Sequence, residues 1–184
     1  MVGPGRDGAS ENPTLFYFDD FDEGRTALNF QVEAGKLELG EGIFSFPQPL
    51  KIQLDVQRAL DSYRLEGVAS GVLAGECCRC LAAARGAFAA ELQLLLQRRQ
   101  VSDEERAALE EDDEIELVDL GTKEIDLQPF WREAVILELP MRIYCRDECK
   151  GLCPQCGINL NESTCSCVDE QVDPRWAALA QLKS

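Results

Sequence analysis

Residues 145–167 read C-R-D-E-C-K-G-L-C-P-Q-C-G-I-N-L-N-E-S-T-C-S-C, and six of the chain's nine cysteines fall within these 23 residues. Inside the run, Cys153 and Cys156 are separated by two residues and followed directly by Gly157. That spacing turns the backbone tightly enough to aim both sulfurs at one tetrahedral ion. Cys165 and Cys167 can supply the remaining two ligands, which closes a four-thiolate knuckle within fifteen residues at little cost in loop entropy. A further C-x2-C pair, Cys77 and Cys80 in E-C-C-R-C-L, lies far upstream. Joined to Cys145 and Cys149, it would staple the middle of the chain to its C-terminal third. The competing grouping puts Cys145, Cys149, Cys153 and Cys156 on one ion through two consecutive x3 spacings. Cys78 is left over in the first scheme, because adjacent residues point apart in extended backbone.

The alternative to metal is a disulfide framework. The opening M-V-G-P-G-R-D-G-A-S-E-N-P carries no apolar stretch of the kind that directs secretion, so a reducing, cytoplasmic setting is expected. There, clustered thiols indicate zinc, an iron–sulfur cluster or redox exchange, and ligand type and spacing favour Zn2+, one or two ions. The chain contains no histidine. Hydrolytic zinc held by imidazoles and histidine-dependent triads are thereby excluded, and closed structural sites are favoured. Thioredoxin-type redox motifs open a helix after a strand, a context neither C-x2-C pair offers. There is no Gly-rich phosphate loop, no G-x-S-x-G elbow and no apolar span of about twenty residues. The expectation is a non-enzymatic protein that does not cross a membrane.

Charge narrows the partners. A net charge of -16, from 34 acidic against 18 basic residues, argues against broad binding to a phosphate backbone. DNA is not expected, and any RNA contact must be local. The candidates beside the knuckle are Arg142, Arg146, Lys150, Asn159 and Asn161, with Arg85, Arg98 and Arg99 in the middle segment. Solvated surface charge accounts equally well for the cations, and turn chemistry for the asparagines. The acidic surface also suits docking on basic proteins.

With 184 residues and 45% apolar content, the chain can build one domain with or without an appendage. Residues 1–13, rich in Gly, Pro and polar groups, are expected to be disordered. An α+β domain is expected over 14–140, a zinc knuckle over 141–172, and a short helix over 173–184, capped by Asp173, opened by Pro174 and docked by Trp176, Leu179 and Leu182. Alternation marks strands in L-N-F-Q-V from Leu28, in K-I-Q-L-D-V at 51–56, and in Y-R-L-E-G-V-A at 63–69. Residues 84–98 are rich in Ala, yet Phe88, Ala90, Leu92, Leu94 and Leu96 recur at every second position. A strand follows, and with it a hairpin whose arms are 63–76 and 82–98 and whose tip carries Cys77 and Cys80. Ser102 and Glu105 have capping-box spacing for a short exposed helix or loop, and the acidic run Glu110–Glu116 reads as a solvated face. Asp126 then caps a helix that Pro140 stops, with Leu127, Phe130, Trp131, Ala134, Val135 and Leu137 as its core stripe. The expected fold is α+β: an antiparallel sheet over 28–118, open or closing in a barrel-like way, a helical segment over 125–139, and a C-terminal Cys-rich knuckle.

Three motifs in this order, C-x-R-C-L at 77–81, I-D-L-x3-W-R-E-A-V-I-L-E-L-P at 125–140 and C-x-G-L-C-P-x-C-G-x-N-L-N at 149–161, resemble the YceD-like family. The similarity covers roughly residues 28–182. Members are described as large ribosomal RNA subunit accumulation proteins. The resemblance implies a role in accumulation or processing of 23S rRNA during large-subunit assembly, without catalytic activity. It also implies large-subunit rRNA, or a ribosomal protein of the immature large subunit, as partner. It supplies a process rather than a mechanism, so the metal ligands rest on spacing alone. A second possibility is a zinc-stabilised protein-interaction module or thiol redox sensor without RNA contact, and the acidity suits the former.

Overall fold

Period-two alternation governs the centre of the chain, and it builds the sheet expected of it. The computed structural model describes residues 13–39, 42–100, 102 and 115–167. Its strands are β1 (Leu15–Tyr17), β2 (Gly24–Val32), β3 (Leu50–Ala59), β4 (Ser62–Glu76), β5 (Ala83–Arg98), β6 (Ile115–Val118) and β7 (Glu124–Asp126), followed by one helix, α1 (Gln128–Glu138). Strands β2-β3-β4-β5-β6 form one sheet in that order, and β1 pairs with β7 in a separate two-stranded ribbon.

One face of the large sheet is the core. Leu50, Ile52, Leu54 and Val56 of β3, Tyr63, Leu65, Ala69 and Leu73 of β4, and Phe88, Ala90, Leu92, Leu94 and Leu96 of β5 are all buried. The alternation in β5 therefore outweighs its alanine content, since only a strand sends every second side chain to the same side. Phe16, Phe18 and Phe21 pack with Tyr63 at one end, Phe16 and Phe21 stacked at 4.5 Å between centroids. Helix α1 lies over the face and buries Trp131 and Val135 completely. Gly67 makes room for it: a Cβ there would fall 2.7 Å from Trp131 Cη2 and 2.7 Å from the Gln53 carbonyl oxygen.

The hairpin of β4 and β5 pairs from Ser62↔Gln97 to Glu76↔Ala83, within a residue of the arms expected. The N-cap of the helix is Leu127 rather than the expected Asp126, which lies one residue earlier at the end of β7; its Oδ1 still accepts from the Gln128 N–H at 2.9 Å and from Thr14 Oγ1 at 2.6 Å. Other expectations change. The sheet is open and mixed, neither barrel-like nor purely antiparallel, because β6 runs parallel to β5. A parallel neighbour must be reached by a crossover, and it leaves β2 and β6 as separate edges. The described residues are mostly β, with a single α-helix and two short 3-10 turns, Phe18–Asp20 and Ala34–Leu37, so the helical share of the expected α+β class is smaller. Strand β2 starts at Gly24 rather than Leu28, and β1 and β7, three residues each, are too short to show a period. Leu137 is 77% exposed and not core, since it lies about 200° round the helix from Val135. The disordered stretch expected over 1–13, apart from Pro13, the segment after Ser102 as far as residue 114, and the C-terminal helix with Asp173, Pro174, Trp176, Leu179 and Leu182 lie outside the described residues. Among those described, no helix is long and apolar enough to cross a membrane.

Candidate metal centre

Two tight turns present the C-x2-C pairs, and they are built alike. At the hairpin tip, the Leu81 N–H donates to the Cys77 carbonyl at 2.9 Å and the Cys77 N–H to Ala82 at 2.8 Å. In the second turn, the Gly157 N–H donates to the Cys153 carbonyl at 2.9 Å and the Cys153 N–H to Ile158 at 2.8 Å. The residue after the second cysteine is left-handed in both, with φ 61 at Leu81 and φ 72 at Gly157. Glycine adopts this freely and leucine does not.

The chain leaving α1 brings Cys145 and Cys149 to the hairpin tip, where Ile143 is buried against Cys77, Cys80 and Ala84. The sulfurs of Cys77, Cys80, Cys145 and Cys149 all lie within 4.8 Å of one another, as do those of Cys153, Cys156, Cys165 and Cys167. Individual separations are 3.8 Å for Cys77–Cys149, 3.6 Å for Cys80–Cys145 and 3.4 Å for Cys153–Cys165. An ion about 2.3 Å from each of four tetrahedral sulfurs sets edges of about 3.8 Å, so either group could bind a metal ion. The competing set of Cys145, Cys149, Cys153 and Cys156 is not what the fold assembles. Cys78 belongs to neither group; its N–H donates to the Ile143 carbonyl at 2.9 Å and its side chain is exposed.

Electrostatics divides the thiols within each group. Burial opposes ionisation of Cys77, but the backbone N–H groups of Cys145, Arg79 and Cys80 outweigh it and bring it down to about 6. Cys145 is pushed up to about 12 by desolvation of its sulfur and by the Cys80, Cys149 and Cys77 sulfurs. In the second group, backbone N–H groups of Cys156 and Gln155 lower Cys153 to about 6. The Cys165 and Cys156 sulfurs push Cys167 up to about 12. Four thiolates this close repel, and a divalent cation removes the conflict by ionising them all.

Sequence reasoning missed Arg79 as the brace of the first group. Its N–H donates to Cys77 Sγ at 3.4 Å, its guanidinium donates to the Asp147 and Cys149 carbonyls at 3.1 and 3.0 Å, and it stacks over Tyr144 at 4.4 Å. Its carbonyl accepts from the Leu152 N–H at 3.0 Å. Gly151, φ 77, passes so close that a Cβ would lie 3.0 Å from that oxygen. The available signal was an arginine set between two cysteines of ligand spacing.

Arg142, Arg146 and Lys150 are exposed around Cys145 and Cys149, and Arg85 is exposed on β5. Arg98 lies at the other end of β5, donating to the Leu120 and Thr122 carbonyls at 2.7 and 3.0 Å, and Arg99 follows it there. The asparagine amides turn inward. Asn159 Oδ1 accepts from the Asn161 N–H at 3.0 Å, and its Nδ2 donates to Glu162 at 2.9 Å. Asn161 Nδ2 donates to Cys149 Sγ at 3.4 Å, and its Oδ1 accepts from the Lys150 N–H at 2.9 Å.

Comparison with known sequences bears on this arrangement. A family model described as large ribosomal RNA subunit accumulation protein YceD matches residues 65–183. An uncharacterised protein of Mycobacterium tuberculosis (strain ATCC 25618 / H37Rv) is 37% identical over 133 residues, covering 72% of this chain and 61% of the relative. The chloroplastic YCED homolog 1 of Zea mays, whose name carries the same description, is 30% identical over 147 residues, covering 67% of this chain and 50% of the relative. YlbN of Bacillus subtilis (strain 168) is 41% identical over 73 residues, 39% of this chain and 41% of that protein. The chain thus spans 61% of the length of the mycobacterial relative and less of the others. No solved structure matches. The family match runs from within β4 through both cysteine groups and α1, and on that footing the chain belongs to the YceD family of large ribosomal RNA subunit accumulation proteins.

Proposed function

We propose that this chain is a non-enzymatic, cytoplasmic factor for 23S rRNA accumulation and processing during large-subunit assembly, with structural Zn2+ in both tetra-cysteine groups. The rRNA role is supported by the family match over residues 65–183, and the metal by the two sulfur clusters that this match contains. Four protein thiolates complete a tetrahedral shell and leave no position for a substrate, so zinc here would brace a surface rather than perform chemistry. Cys77, Cys80, Cys145 and Cys149 would hold one ion, and Cys153, Cys156, Cys165 and Cys167 the other. The braced surface exposes Arg142, Arg146 and Lys150, while Asn159 and Asn161 shape the turn beside them. A few cations on an acidic chain suit a local contact with looped rRNA, not tracking along a phosphate backbone.

The net charge of -16 favours a second reading, in which the same surface docks on a basic ribosomal protein of the immature large subunit without touching RNA. One experiment separates them. Cells lacking the chain are scored for the ratio of 23S to 16S rRNA and complemented with the wild type or an Arg142→Ala/Arg146→Ala/Lys150→Ala variant. The purified proteins are then sedimented with naked 23S rRNA and with immature large subunits at rising salt. Salt-sensitive binding to naked rRNA, lost in the variant, supports the RNA contact; binding to particles alone supports the protein contact. An unchanged rRNA ratio in the deletion would sink the function in either form. Reversible disulfides in place of bound metal would point instead to thiol redox sensing.

A further inference from the structure

We infer that Asn161 couples the two tetra-cysteine groups, so that metal held by the 153–167 loop tightens the hold of Cys77, Cys80, Cys145 and Cys149 on theirs. The inference rests on metal occupancy of both groups as proposed above. Asn161 lies between Cys156 and Cys165, in the loop that the second group closes. Its side chain nevertheless serves the first: Nδ2 donates to Cys149 Sγ at 3.4 Å while Oδ1 receives the Lys150 N–H at 2.9 Å. Asn159 fixes it from behind, Oδ1 accepting the Asn161 backbone N–H at 3.0 Å and its Nδ2 at 2.8 Å. Both N–H donors and the carbonyl oxygen of the Asn161 amide are therefore engaged.

The backbone between the groups carries the same link. The Leu152 N–H donates to the Arg79 carbonyl on the hairpin tip at 3.0 Å. On its other edge this short ribbon meets the second group's loop, with the Cys153 N–H donating to Ile158 at 2.8 Å and the Leu160 N–H to Gly151 at 2.9 Å. Closing the second group fixes the turn at residues 158–161 and delivers the Asn161 side-chain Nδ2–H to a ligand sulfur of the first. A donor of this kind orients and stabilises a metal-bound thiolate, and its loss typically costs ten- to a hundredfold in metal affinity. By linkage, the first group's metal must favour the second by the same factor.

The test uses the full chain, reduced, stripped and reloaded with 113Cd2+, which gives one NMR signal per occupied group. The signal missing from Cys165→Ser/Cys167→Ser identifies the second group. A chelator titration of the wild type should remove both signals together. In Asn161→Asp, which keeps the acceptor for Lys150 but loses the donor to Cys149, the first group's signal should shift and disappear at about tenfold lower chelator, with the second still present. The Cys165→Ser/Cys167→Ser chain, with Asn161 intact, should show a similar loss at the first group. Independent removal of the two wild-type signals, or a first-group signal that neither variant weakens, would overturn the coupling while leaving the metal sites standing. A wild type that takes up neither cadmium nor zinc would overturn both.

Discussion

Gly67→Ala tests how the sheet receives α1. The added Cβ meets two unyielding neighbours, Trp131 Cη2 and the Gln53 carbonyl oxygen, each at 2.7 Å, with Leu54 Cδ1 at 3.1 Å. The carbonyl belongs to β3, held in register with β4 through Leu54↔Gly67, and the indole is fully buried. Neither can retreat without disturbing the sheet or lifting the helix. Overpacking of this kind costs about 1–3 kcal/mol, and with both contacts backbone or ring we expect about 2–3 kcal/mol. For a chain of this length that is a fall of about 5–10 °C in Tm. The assay is thermal and urea unfolding at fixed free zinc, since metal binding shifts stability by mass action. A cycle with Trp131→Leu isolates the indole: alone it should cost about 2–3 kcal/mol through lost packing, and in the Gly67→Ala background about 1 kcal/mol less. A loss below about 0.5 kcal/mol for Gly67→Ala, or strict additivity with Trp131→Leu, would refute the account of this contact.

Cys77→Ser should lower the stability of the whole domain, because its group ties the hairpin to the chain after α1, whereas Cys153→Ser should release about one metal ion and raise hydrogen exchange most across 150–167, with a smaller rise at the coupled hairpin tip; equal and purely local effects would contradict the split into two groups. Metal uptake at about pH 7.5 should release at least two protons at each group, from the raised thiols Cys80 and Cys145 in one and Cys165 and Cys167 in the other. Cys77 and Cys153, lowered to about 6, contribute stability above the ordinary thiol range that is lost as pH falls through about 6, so metal release should steepen there; pH-stat titration showing fewer than two protons per ion would count against the assignment. Leu81→Gly relieves a left-handed leucine at φ 61 and should stabilise by about 0.5–1 kcal/mol after the extra chain entropy of glycine. Gly157→Ala, with no atom within 4 Å of the new Cβ, should cost about 1 kcal/mol from backbone conformation alone; denaturation midpoints that move the other way would reject the common turn geometry.

Much of the fold is legible in residue order because its signals are local. Alternation in 63–69 and 88–96 reports which side chains share a face, and the C-x2-C pair between them marks the turn, so the hairpin ends follow to within a residue. Helix α1 is legible for the same reason, from Asp126 before it and Pro140 after it. Short loops decide which cysteines meet: Cys153, Cys156, Cys165 and Cys167 lie within fifteen residues, and their sulfurs lie within 4.8 Å.

What local order leaves undetermined is direction and contact between distant segments. Nothing in the four residues of β6 shows that they run parallel to β5, because periodicity is the same read in either sense. Leu137 matches a helical stripe in one dimension and faces water in three, since the stripe is narrower than the pattern allows. Arg79 and Asn161 look like surface polar residues until the chain after α1 returns to the hairpin tip. Only then do an arginine 68 residues from Asp147 and an amide 12 residues from Cys149 find their partners. Residue order specifies which side chains alternate, turn and cluster, because those properties depend on neighbours a few positions away. Sheet direction, the brace around the first group and the hydrogen bonds between the two groups emerge only on folding, because they depend on how remote segments pack.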